Sequence, residues 1–309
     1  GSRARTAMTP LPMDSGRAAD NQFQSLQRYQ ERSMLALQLC IAVAGPLARS
    51  AHDLSLAMDV LSSPLQLFGP LGWHPVAWRD AGLAPRQLRV AVVTDDACAE
   101  VDAPVRRGLE DLAAFLREQG LTVSETARPV DSAEAWEVYV HLVRAATGAH
   151  LNDADYAAAQ AHAAQHPPGS RSFAAWNWRG NTLTHRDWVH YDERRATLRR
   201  QWARFFDQWD LLICPVAPTA AFPHMQTGFR WERMVTVNGQ PRPSTDSLFW
   251  AGYPGLVGLP STVVPLTASP EGLPIGAQIV GPVLGDPVCL RFARFLEEHW
   301  RAFVPPPGF

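Results

Sequence analysis

Lysine is missing from this chain of 309 residues: all 28 of its basic residues are arginine. A guanidinium stays protonated across the physiological range, so no side-chain amine is available as a neutral base or Schiff-base nucleophile. Cysteine is scarce. Cys40, Cys98, Cys214 and Cys289 are widely scattered and form no CxxC pair, so the pattern indicates neither a zinc ribbon nor a disulfide framework. A reducing cytoplasm suits such a chain best. No apolar run is long enough to span a bilayer, and no signal-peptide pattern is present. There is no GxSxG nucleophile elbow, no glycine-rich phosphate loop and no internal repeat. The net charge of −2 gives no electrostatic reason to expect nucleic acid or an acidic membrane as partner.

What is present reads as a globular α/β protein. The apolar share of 46% and the charged share of 19% are those of a soluble domain, and the length allows one large core or two modest ones. Residues 1–39 are polar, rich in Gln and Arg, carry Pro10 and Pro12, and are expected to be a flexible segment outside the core, open to proteolysis near Arg17. The chain opens on Gly1-Ser2 rather than Met, which reads as a cloning scar or a fragment.

From residue 40 a folded α/β domain, 40–309, is expected. A strand-like run over 40–44 meets the Gly45-Pro46 break. A helix follows, with Ser50 and Asp53 as a capping pair, Leu54, Met58 and Leu61 on one face, and Pro64 as its stop. Residues 69–85 read as a surface loop. Five short apolar runs bounded by turn residues, 88–94, 121–125, 210–214, 261–267 and 274–280, predict strands of one core. Helical patterns separate them. Asp102 is placed as the cap of a helix carrying Val105, Leu109, Leu112 and Leu116 and closed by Gly120. Residues 132–146 and 153–165 are helical, Thr184 with Asp187 starts a helix running to Trp209, and another begins at Asp286. The near-continuous apolar character of 261–280 suggests two strands covered on both faces, as in the centre of a sheet. Residues 225–257 read as an irregular packed segment.

The loop over 214–224, CPVAPTAAFPH, follows a strand end, where α/β sheets place their ligands. Together with the aromatic stretch near Trp250 it predicts one concave apolar surface lined by Pro218, Phe222, Trp250 and Tyr253 for a small-molecule substrate. His162 with His166, and His185 with His190, lack metal-site spacing and companions, so no metal ligand is assigned. Cys214 reads as a small core residue.

Several stretches carry a resemblance. GPLARSAHDLSLAMDVL (45–61), RPVDSAEAWEVYVHLVRAAT (128–147), the 210–224 strand and loop, and above all GLPSTVVPL (258–266) with GLPIGAQIVGP (272–282) resemble the amidase signature family of serine amidohydrolases. The likeness covers about residues 40–302. It implies a three-layer α/β/α fold around a mixed central sheet, here expected to be N-terminally incomplete. It also implies cleavage of linear amide C–N bonds to a carboxylate plus ammonia or an amine, with no metal or organic cofactor. The family uses a Ser nucleophile, a second Ser in a cis peptide and a Lys base. This chain has no GGSSGG-like run and no Lys, so no catalytic residue carries over, and a truncated, catalytically incomplete form is expected. The alternative is a non-catalytic binding or interaction module on the same fold, a pseudoenzyme or partner subunit that works as a homo-oligomer or with another chain.

Overall fold

The computed structural model describes residues 41, 45–62 and 82–306, all within one compact unit, Ile41–Phe309. The expectations for residues 1–39, for most of the 40–44 run and for most of the 69–85 loop lie outside the described residues. Helix α1 spans Ala51–Ser62, and its start is capped as expected: Ser50 Oγ accepts the Asp53 N–H at 3.0 Å. Strand β1 (Arg89–Val92), helix α2 (Ala103–Glu118) and strand β2 (Thr122–Ser124) follow. Gly120 ends this helix with φ +86°, a backbone region that a Cβ would disfavour. Asp102 stands at the N-cap of α2 but does not bond its N–H groups. Its carboxylate instead accepts the Asn238 N–H at 2.8 Å, so a tertiary contact has taken the capping oxygen.

Four helices come next: α3 (Ser132–Gly148), α4 (Asp153–Gln165), α5 (Phe173–Asn181) and α6 (His185–Gln208). Each starts with a side-chain oxygen that accepts an early backbone N–H, from Asp131, Asn152, Ser172 and Thr184 in turn, satisfying donors that the helix itself cannot. Strand β3 (Leu211–Pro215) is buried throughout. A hairpin of β4 (Met234–Val237) and β5 (Gln240–Pro243) and helix α7 (Ser247–Gly255) replace the irregular segment expected over 225–257. Strands β6 (Ser261–Ala268) and β7 (Pro274–Val280) lead into helix α8 (Asp286–His299).

The main sheet has the order β2-β1-β3-β7-β6. β1 pairs parallel with β2 and β3, while β7 pairs antiparallel with β3 and β6, so all five expected strands share one mixed sheet. Alternation along β6 and β7 separates its faces. Leu266 turns toward α2, where Gly108 lies so close that an added Cβ would stand 3.1 Å from the leucine. Gln278 turns the other way and donates to the Trp250 carbonyl of α7 at 2.8 Å. Helices therefore cover both faces, which makes the three layers. β6 departs from the expectation of a strand buried on both faces. Among the described residues it is the sheet edge, paired with β7 alone, and Val263, on the face it shares with Gln278, is 53% exposed. Pro265, which has no N–H to pair, is tolerated in such an edge position.

α3 and α5 approach each other closely because of two glycines. A Cβ on Gly148 would lie 2.3 Å from the Asn181 carbonyl oxygen, a backbone atom that cannot rotate away. Gly148→Ala is therefore expected to destabilise the domain by about 1–3 kcal/mol, the cost of overpacking a fitted contact. The check is the urea midpoint at unchanged m-value.

Candidate functional site

The three parallel strands put their C-terminal ends on one side of the sheet. From β1 the chain moves to β2 on one flank and later returns as β3 on the other, so the connections diverge beside β1. In open α/β sheets such a switch point opens the crevice in which ligands sit. Here it holds a cavity of about 420 Å³ lined by Asp95, Asp96, Cys98, Glu100, Arg242 and Asp246.

Its floor is the loop after β1, and side chains fix that loop. One Asp95 oxygen accepts the N–H groups of Asp96 and Val101, both at 2.9 Å, and the other pairs with Arg106 at 2.5 Å. Asp96 accepts the Cys98 N–H at 2.9 Å and the Ser132 hydroxyl at 2.5 Å, which ties the loop to the start of α3. From behind, the Trp250 indole N–H donates to the Ala99 carbonyl at 3.2 Å. The β4–β5 hairpin closes the third side. Asn238 donates to Glu100 at 3.0 Å and to the Val101 carbonyl at 3.1 Å, and Arg242 pairs with Glu100.

Burial and charge set the chemistry of the lining. The Asp246 carboxyl is pushed up to about 6, first by burial and against the pull of Arg242. It therefore changes charge close to neutral pH. The Glu100 carboxylate is held below its usual range by the Asn238 and Arg242 contacts. The Cys98 thiol is pushed up to about 12, by burial and then by Asp96, which keeps it protonated and unsuited to nucleophilic work. Burial likewise raises Cys214 and Cys289. Among the described residues no histidine ring nitrogen bonds a serine hydroxyl: His141 and His299 bond the backbone carbonyls of Glu137 and Phe295.

The four residues expected to line an apolar surface differ in burial. Trp250 is fully buried and Tyr253 is 3% exposed, the latter packed against Trp202 and Phe249 at ring distances of 5.3 and 5.4 Å. Phe222, by contrast, is 43% exposed. Pro218 is buried, and its carbonyl accepts the Asp102 N–H at 2.8 Å. None of the four lines the cavity at the switch point. Trp250 and Pro218 instead brace its loop. The lining is polar, and Arg242 and Asp246 reach it from the segment read as irregular. One signal for that hairpin was present: Asn238-Gly239 between two short runs. Both residues take positive φ, 50° and 76°, as a two-residue hairpin turn of the primed kind requires.

Comparison with known proteins agrees with this architecture. The chain is 27% identical to an indoleacetamide hydrolase of Bradyrhizobium diazoefficiens over 289 residues, covering 87% of this chain and 48% of that protein. It is 28% identical to the A subunit of the glutamyl-tRNA(Gln) amidotransferase from Thermus thermophilus, covering 88% of this chain and 58% of the relative. The chain thus spans about half the length of the relatives it matches. In fold it resembles a chain solved, with inhibitor bound, in a vestigial protein complex that reveals the evolutionary origins of an s-triazine catabolic enzyme. The TM-score is 0.61 at 20% identity, over 85% of this chain and 54% of that one. The Amidase family model matches residues 25–290, which takes in every strand of the mixed sheet and the loop at its switch point, and the chain belongs to that family.

Proposed function

We propose that this chain binds an amide in the cavity at the switch point and, by itself, does not turn the amide over. The carrying observation is the lining: a half-buried carboxylate, Asp246, beside a guanidinium, Arg242. An amide presents an N–H donor and a carbonyl acceptor side by side, and this pair complements both. The names of the relatives, a hydrolase of indoleacetamide and one component of an amidotransferase, support amide chemistry for the family fold. Against turnover stand the missing lysine and the protonated Cys98. One relative is a subunit by name, and one similar solved chain comes from a protein complex. Both support a second reading, in which another chain completes the site. Free thiols at Cys98, Cys214 and Cys289 fit a reducing compartment, and we place the protein in the cytoplasm.

Titration calorimetry with benzamide tests the binding. If the Asp246 carboxylate accepts the amide N–H, affinity falls as pH drops through about 6, where the carboxyl gains its proton, and is flat above about 7. Asp246→Asn should weaken binding about tenfold at pH 7.5, the value of a hydrogen bond to a charged group, and remove the pH dependence. Affinity that rises in acid, or that ignores Asp246→Asn, counts against the assignment.

A further inference from the structure

Arg144 lies on the face of α3 that meets α5. Gly180 of α5 comes so near that a Cβ there would stand 2.6 Å from the Arg144 Cβ, so the arginine stem is pressed between two helices. Its Nε is buried and has no hydrogen-bond partner, and the guanidinium makes no ion pair among the described residues. Three arginines of α5 and α6 are satisfied by contrast. Arg194 pairs with Glu134 and Glu137, Arg195 pairs with Asp192, and Arg179 donates to the carbonyls of Ser170 and Pro167. The charged or ionisable groups that act on Arg144 are Arg230, a second cation, and the Tyr139 hydroxyl; no carboxylate is among them. Burial first, and then the like charge of Arg230, pull the guanidinium below the ordinary arginine value. Arg230 itself is exposed and its side chain bonds nothing among the described residues.

Two like charges brought together, one of them desolvated, are destabilising unless an anion joins them. The surroundings are aromatic. Tyr139 stacks on Trp136 at 5.8 Å. Next to Arg230, Trp231 stacks on Phe229 at 4.9 Å and meets Trp178 edge-on at 5.3 Å. A planar guanidinium matches a carboxylate with two parallel hydrogen bonds, and rings favour a flat apolar body. We propose that Arg144 and Arg230 hold the carboxylate of a small aromatic acid. Arg144 is about 18 Å along α3 from Ser132 at the edge of the switch-point cavity, while the short turn that carries Arg230 packs beside the Ser244–Asp246 turn, where the Ser244 hydroxyl donates to the Arg230 carbonyl at 3.4 Å. The proposed carboxylate site does not depend on the amide reading.

Thermal unfolding of the full chain with sodium benzoate, sodium acetate or sodium chloride at matched ionic strength tests the proposal. Benzoate should raise the melting temperature saturably, by ~3 °C once it is tenfold above its dissociation constant, and acetate should act far more weakly. Arg230→Ala, a surface change, should abolish the response. Arg144→Met keeps an apolar stem and removes the unpaired charge, so it should abolish the response while raising the ligand-free melting temperature by ~2 °C. A benzoate response no larger than that of chloride or acetate overturns the proposal. So does an undiminished response in Arg230→Ala, or a lower ligand-free melting temperature in Arg144→Met, which would make that arginine a structural residue.

Discussion

Gln278→Leu should cost about 3 kcal/mol of stability and lower the melting temperature by roughly 6–12 °C. Gln278 is 4% exposed and stands in the middle of β7, between β3 and β6. Its amide NH₂ donates to the Pro215 carbonyl at 2.9 Å and to the Trp250 carbonyl at 2.8 Å, and its oxygen accepts the Ser261 hydroxyl at 2.9 Å. One side chain thus joins β3, α7 and β6, the elements that carry the loop and helix behind the cavity. Leucine fills similar space but donates nothing. Two buried carbonyls then lose their side-chain donor, and each such loss costs about 1–3 kcal/mol. Gln278→Glu should be worse, because a carboxylate would face the same two carbonyl oxygens as a buried charge without a partner. Ser261→Ala should cost under about 1 kcal/mol, since the hydroxyl is partly exposed and water can replace it. Urea titration of the three variants reads this ordering. A Gln278→Leu protein within about 0.5 kcal/mol of the parent would remove the amide from its place in the fold.

The strands of this molecule were legible because each is a short apolar run between turn residues, and the helix starts were legible because Ser50, Thr184 and their partners sit three residues apart. Position within the sheet was not. Whether the run over 261–268 is central or at the edge depends on which strand pairs beside it, and that is a non-local fact. The same limit affected the site. Trp250 and Tyr253 are large aromatics near a loop, a pattern shared by pocket walls and cores, and only packing against Trp202 and Phe249 decides for the core. Asp96 lies more than a hundred residues before Arg242 and Asp246, and no spacing rule unites the two aspartates. Asp102 shows the competition at its smallest scale. Its position before a helix is that of a capping residue, yet the Asn238 backbone claims its oxygen.

The second large effect concerns turnover. Proton removal from a serine hydroxyl by a placed base contributes about 10²–10⁴-fold to rate. This chain has no lysine, its arginines cannot deprotonate, and the half-buried Cys98 thiol stands at about 12. Asp246, at about 6, is a weak base that no described serine hydroxyl bonds. Binding alone leaves the chemical step unaided unless it favours the transition state. Compared with a typical enzymatic kcat of about 10 s⁻¹, the chain should therefore fall at least about 10⁴-fold short. The direct measurement is release of ammonia or amine by the purified chain from a panel of aryl and short aliphatic amides, at concentrations where calorimetry detects binding. The account predicts bound amide with no release above the buffer control. Sustained release that a single Ser or His substitution abolishes would contradict it and place a catalytic group within this chain.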